Sequence, residues 1–175
     1  EWISSDAFQR SRIESGGREK ALVIATGAKD GRKLSSCYAY VPDTSPGLRG
    51  DRGGRFFRCA DLPAEGRYSA AFTTLDGDVI IVVGENRQFQ RLSDARGYNL
   101  GRNEWRNLPD HPERKDEAMC IVLGGQIVVV GGDADQGWSA SVHALNMETG
   151  TWVKMRDLLH RVYAAAYAVL RAELY

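Results

Sequence analysis

A step of 47 residues recurs along this chain, and it limits the possible folds more than any other feature. It carries Arg67 to Arg114 and Arg161, Ile80 to Ile127 and Leu174, Gly84 to Gly131, Asn99 to Asn146, and Trp105 to Trp152. Residue types this rare do not align at one offset by chance, and a period of this size is the mark of a repeat architecture. Two units are complete, Arg67 to Glu113 and Arg114 to His160, and a further one opens at Arg161. Within the second unit, apolar Ala118 to Leu123, the turn Gly124-Gly125, β-branched Ile127 to Val130 and Gly131-Gly132 read as two strands and their stops. Strands near Ser141 to Asn146 and Trp152 to Met155 complete a set of four, with the turn Met147 to Gly150 between them. The preceding unit runs the same way through Ala70 to Leu75, Val79 to Val83, Ala95 to Leu100 and Trp105 to Leu108. Four short strands per repeat make the blade of a β-propeller, so an all-β chain is expected.

The upstream region is a looser copy. Ala21 to Thr26 corresponds to the second strand of a blade, Cys37 to Val41 to the third and Arg55 to Cys59 to the fourth, and Leu62-Pro63 echoes Leu108-Pro109. The first strand is missing, and Pro42 to Gly54 is inserted into a hairpin. Residues 1–17 show no strand pattern and read as a linker or the tail of a preceding domain. The expected blades are 18–66, 67–113 and 114–160, with the start of another over 161–175. Val162 to Leu170 has good helix propensity, but its place in the repeat assigns it to a first strand, and propensity yields to tertiary context.

Blades that open with an arginine, end their second strand in Gly-Gly, and place an aromatic residue seven positions before a tryptophan resemble the kelch repeat. Tyr98 and Trp105 carry this spacing, while the best copy, Arg114 to Arg156, has Gly131-Gly132, Leu145 and Trp152. The second blade departs from it by reading Gly84-Glu85. Glycine at such a strand end permits a positive φ and close backbone approach, and indole rings supply apolar area between blades. The arginines at the blade starts are expected to bond loop carbonyls or a carboxylate. The resemblance implies a partial kelch-type β-propeller, similar to the start of the kelch domain of BTB–BACK–kelch proteins. There a first blade receives its missing strand from the C-terminal end of the chain.

Composition bears mainly on what the chain does. With 43% hydrophobic residues, 26% charged, and 23 basic against 23 acidic, it matches a globular domain rather than a disordered segment. A dedicated nucleic-acid surface is not expected from zero net charge. The arginines Arg49, Arg52, Arg55 and Arg58 form one local basic cluster, read as a solvated hairpin insertion. The longest uncharged stretch, Ala118 to Gly132, is shorter than the ~18 residues of a spanning helix, so no membrane is expected as a partner. Cys37, Cys59 and Cys120 are scattered, without disulfide or zinc spacing, which suggests a reducing, cytoplasmic setting.

No catalytic, cofactor or metal site is expected. His111 and His160 fall in blade-connecting loops and His143 on a strand, all outside any H-E-x-x-H pattern, and are read as solvated or locally hydrogen-bonded. Asp133 and Asp135 read as a polar turn. The working surface is expected where the loops between second and third strands gather: Ala28 to Ser36, Glu85 to Asp94, and Asp133 to Ala140. These hold Arg32, Lys33, Arg87, Gln88, Phe89, Arg91, Asp133, Asp135, Gln136 and Trp138, and aromatics beside arginines are typical of protein-binding hot spots. A protein or peptide partner is therefore the first expectation. The resemblance adds a substrate-recruiting subunit of a cullin-RING ubiquitin ligase, with the cullin bound by a BTB domain outside this sequence. It also offers an actin-binding or cytoskeletal scaffold, and a galactose-oxidase-like copper enzyme, whose clustered ligands have no counterpart in this sequence.

Overall fold

The computed structural model describes residues 2–3, 22–25, 28–29, 32–42, 54–63 and 66–166. Period-2 burial builds the blades. In the second blade, β7 (Ala71–Leu75), β8 (Asp78–Val82), β9 (Ala95–Asn99) and β10 (Glu104–Leu108) form an antiparallel sheet in chain order. In the third, β12 (Met119–Leu123), β13 (Gln126–Val130), β16 (Val142–Asn146) and β17 (Thr151–Lys154) repeat it. Asp76-Gly77 and Gly124-Gly125 close the first hairpin of each, with positive φ at both central residues, the two-residue turn that fits strand twist. These are propeller blades, as the repeat implies.

In the first blade, β2 (Leu22–Ala25), β5 (Cys37–Pro42) and β6 (Gly54–Arg58) align as second, third and fourth strands. Among the described residues no strand pairs with the outer side of β2, the place of a first strand. Residues 1–17 need one correction. β1 (Trp2–Ile3) adds to the outer side of β6 in parallel, Trp2 opposite Phe56; two residues are too few to show a strand period. The loops after the second strands also contain small hairpins, β3 (Ala28–Lys29) with β4 (Arg32–Lys33), and β14 (Asp133–Ala134) with β15 (Gly137–Trp138). The latter is extended by β11 (Lys115–Asp116). Arg49 and Arg52 and residues 167–170 of the strand expected over 162–170 lie outside the described residues, and the described part of that strand corrects the expectation. Residues 161–166 are not in a strand, but Gly132 and Ser139 bond Val162, and the Ala164 amide bonds the Glu117 carbonyl.

Apolar residues pack between blades rather than within one. Val79 and Ile81 face the first blade beside Phe57, Cys37 and Tyr98. Ile80 and Val82 face the third, meeting Ile127 and Val129. Thus Ile80 and Ile127 are not equivalent residues, as the 47-residue step had them, but opposing ones. Over the first two strands the true step is one residue longer, since β7 and β8 match β12 and β13 at that offset, while β9 and β10 match β16 and β17 at 47. The loop after β8 contains the extra residue.

This shift corrects two further readings, and the indole bonds correct a third. Glycines Gly131 and Gly132 (φ 64° and 98°) correspond to Val83 and Gly84 (φ 55° and 113°), not to Gly84-Glu85. The buried cations are Arg67 and Lys115, not Arg67 and Arg114: Arg67 donates to the Val83 carbonyl (3.2 Å) and Lys115 to that of Gly131 (3.1 Å). The counterpart of Leu108-Pro109 is Cys59-Ala60 rather than Leu62-Pro63. Trp105 donates its indole N–H to the Ala60 carbonyl (2.8 Å) and Trp152 to that of Pro109 (2.9 Å), each reaching the preceding blade. The two tryptophans therefore hold like places, as the repeat requires.

Candidate functional site

The loop after β8 turns at Asn86, whose side-chain oxygen accepts the amides of Gln88 and Gln90, both at 3.0 Å. This local turn reinforces the backbone bonds from the Asn86 amide to the Gln90 carbonyl and from the Phe89 amide to the Asn86 carbonyl. It pushes Phe89 to the tip with φ 59° and 76% of its surface exposed, beside exposed Arg87 and Gln88. Arg91 does something else. Its guanidinium reaches Asp116 (3.1 Å) and Asp133 (2.5 Å), tying the second blade to the third. Of the residues named from sequence, Arg91 and Asp133 thus belong to the scaffold beneath the loops.

The third blade presents its own tip. β14 and β15 pair Asp133 with Trp138 and leave Asp135 and Gln136 exposed at the turn. Trp138 is 53% exposed and stacks on Tyr163, ring centroids 4.5 Å apart and planes at 18°. Arg32 and Lys33 form β4 in the first blade. The structure therefore brings Phe89 and Trp138 onto adjoining loops bridged by Arg91.

Beneath them lie Arg67, which bonds a loop carbonyl and a carboxylate as expected from the sequence, and Lys115, which the sequence reading missed. Arg67 pairs with Asp94 at 2.7 Å. Burial opposes ionisation of Asp94, but the hydrogen bond and charge of Arg67 overcome it and hold the carboxyl below its ordinary range. Lys115 pairs with Glu113 at 2.6 Å and reaches the Ser141 hydroxyl at 2.8 Å, with burial drawing its ammonium below the ordinary lysine range. Of the two expected alternatives His111 takes the locally hydrogen-bonded one and is buried, with Nδ1 2.8 Å from the Glu113 carbonyl and 3.1 Å from its amide. Its ring meets His143 and Trp152 edge-on, both at 4.9 Å. Burial lowers its pKa to about 4. Counting from strand starts, rather than from arginine to arginine, would have found Lys115.

A cavity of about 670 Å³ opens beside the β14–β15 hairpin, lined among others by Arg114, Asp135, Trp138, Ser141 and Arg161. A smaller one, about 300 Å³, lies between Arg67, Gln90, Arg91 and Asp94, with Arg114 in the wall of both. No group of three or more His, Cys, Asp or Glu side chains suited to a metal occurs among the described residues.

The comparisons agree with this architecture. A kelch motif model matches residues 120–159. An F-box/kelch-repeat protein of Arabidopsis thaliana is 28% identical over 115 residues, covering 64% of this chain and 28% of that protein. Kelch-like protein 11 of Homo sapiens is 26% identical over 99 residues, covering 56% of this chain and 14% of that protein. The chain thus spans well under half the length of these relatives. The solved structure of YjhT superposes with a TM-score of 0.57 at 15% identity, covering 81% of this chain and 52% of that one. With its repeated four-stranded blades and its interblade indoles the chain folds as part of a β-propeller, and residues 120–159 carry a kelch motif.

Proposed function

We propose that this chain recognises a protein partner through the face formed by the loops after β8 and β13. The observation that carries this reading is the placement of two large exposed aromatics, Phe89 and Trp138, on tips anchored by the Asn86 turn, the β14–β15 hairpin and the Arg91 ion pairs. Rigid aromatics lose little entropy on binding and dominate interface energetics. In its parent polypeptide the module recruits substrates to a cullin-RING ubiquitin ligase; likeness to an F-box/kelch-repeat protein and to Kelch-like protein 11 supports this role. The reading assigns no reaction to the chain. An actin-binding scaffold is the second reading, drawn from the kelch resemblance alone.

The test begins with affinity capture and mass spectrometry to name a partner, followed by titration with that partner purified. The double variant Phe89→Ala/Trp138→Ala is expected to bind at least about tenfold more weakly, each hot-spot truncation costing above ~1 kcal/mol, with its melting transition retained. Unchanged affinity would refute this face. Co-purification of a cullin with the full-length parent supports the adaptor role; sedimentation with filamentous actin and no cullin supports the scaffold.

A further inference from the structure

Two of the cysteines that lie far apart in the sequence meet in the first blade. β5 and β6 pair Tyr38 with Arg58, and the Cys59 amide continues the ladder by donating to the Cys37 carbonyl at 3.0 Å. Cys37 and Cys59 are therefore directly opposite each other. Both point to the same side of the sheet, in step with Ala39 and Phe57, and pack in one core cluster with Tyr98 of the second blade. Cys120 belongs to the other cluster, between the second and third blades.

A hydrogen-bonded pair in an antiparallel ladder has its Cα atoms about 5.5 Å apart, inside the ~4.4–6.8 Å that a disulfide spans. Cβ atoms opposed in this way stand ~4.5–5.5 Å apart, so the bond closes only when the strands draw slightly together. A disulfide closed under such strain is readily reduced again. The two thiols are also unequal. Cys59 follows the last residue of β6 and keeps 5% of its surface exposed, against 0% for Cys37. A hydrogen bond from the Cys37 thiol outweighs the cost of burial and lowers the Cys59 pKa to about 7, while the same contact raises that of Cys37. One sulfur of the pair is thus set up as nucleophile and the other as its resolving thiol.

We propose that Cys37 and Cys59 form a reversible, peroxide-sensitive dithiol whose oxidation to a disulfide alters the hold of the second blade on the first. Ala60 follows Cys59 directly and makes two bonds to the second blade. Its carbonyl accepts the Trp105 indole N–H at 2.8 Å and its amide donates to Asn103 at 2.7 Å, so drawing Cys59 toward Cys37 pulls on both. The Cys59 thiolate attacks one oxygen of hydrogen peroxide, the O–O bond breaks, a sulfenic acid forms, and the departing hydroxide takes up the Cys59 proton as water. The Cys37 sulfur then attacks that of Cys59. An S–S bond forms, the S–O bond breaks, and the second hydroxide leaves as water with the Cys37 proton. Two thiols give up two electrons, and one peroxide becomes two waters. Two molecules of a small thiol such as glutathione reverse the change and leave as their own disulfide. The switch is independent of whether the loop tips bind a partner.

The test treats the purified full chain with hydrogen peroxide at neutral pH, blocks the remaining thiols with iodoacetamide, and maps all three cysteines by proteolysis and mass spectrometry. A Cys37–Cys59 crosslink that dithiothreitol removes is expected, formed at least about tenfold faster than Cys120 is modified. Tryptophan emission is expected to shift on oxidation and to return on reduction, with the shift absent in Trp105→Phe. In Cys37→Ala, Cys59 is expected to stop at the sulfenic acid, which dimedone labels. Linkage of either residue to Cys120 or to a second molecule, oxidation of Cys59 without a bond to Cys37, or a crosslink that forms only in urea would overturn the proposal, and these outcomes are read on the wild-type chain. A disulfide that leaves the emission of Trp105 unchanged would overturn the coupling to the seam between blades.

Discussion

At Arg67 and Lys115 two different cations do the same work. Each sits buried at the start of a blade, donates to the carbonyl that ends the second strand, and satisfies a group on the far side of the loop, Asp94 or Ser141. Removing one partner of a buried pair leaves the other charge uncompensated, typically at 3–5 kcal/mol. Arg67→Met is therefore expected to lower stability by about 3 kcal/mol in urea denaturation, with Arg96 still holding Asp94 at 3.0 Å and limiting the loss. A change below about 1 kcal/mol would contradict the account. The sequence showed that basic residues open the blades but selected Arg114 instead of Lys115. The cause is the extra residue between Gly84 and Leu92: loops absorb insertions at little cost, so counting across one moves every assignment before it by one.

Strands and their ends repeat more faithfully than the residues that decorate them. Trp105 and Trp152 make the same bond to the preceding blade, yet the surroundings differ in a matched way. Ala60 has an amide, and Asn103 accepts it at 2.7 Å together with the Tyr98 hydroxyl at 2.7 Å. In the next blade Pro109 has no amide to satisfy, Leu145 replaces the tyrosine, and Gly150 stands where Asn103 does, both with positive φ. Asn103→Gly alone should cost about 1–3 kcal/mol, because two donors lose their acceptor. In an Ala60→Pro background the cost should shrink, and a double-mutant cycle by chemical denaturation with zero coupling would argue against this reading. Glycines divide in the same way. A Cβ at Gly132 would lie 2.7 Å from the Asp116 carbonyl oxygen and 2.8 Å from the Ala118 side chain, whereas one at Gly125 would meet open space. Gly132→Ala is expected to destabilise by more than about 2 kcal/mol and Gly125→Ala by about 1 kcal/mol, measured by thermal melts. Strand limits, tight turns and indoles were legible in the sequence because each has a local signature. Hairpins of two-residue strands, such as β3–β4 and β14–β15, were not, since so short a segment displays no period.

Over the molecule as a whole, acid is expected to act at the seam of the second and third blades, where His111, His143, Lys115 and Glu113 gather. Burial lowers the pKa of His111 from 6.5 to about 4 and that of His143 in the same direction. As pH falls below 6.5 the unfolded chain takes up protons that the folded one refuses, so stability is full above that pH and declines until about 4. His111 alone accounts for about 3 kcal/mol of this loss. Glu113 follows: burial opposes its ionisation, but Lys115 and Ser141 hold its pKa at about 2, so its contribution persists above 4.5 and fades between there and 2. A melting temperature that stays constant from neutral pH down to 4.5 would disprove this order of events. The sequence by itself determined an all-β chain of repeated four-stranded blades, because strand period, turn glycines and indoles are local, repeating and strong. Only the tertiary structure decided which cation is buried, which histidine is hidden, and which arginines are left facing solvent. Those outcomes depend on which side of a strand meets the neighbouring blade, and a single inserted loop residue reverses that side without changing the pattern along the chain.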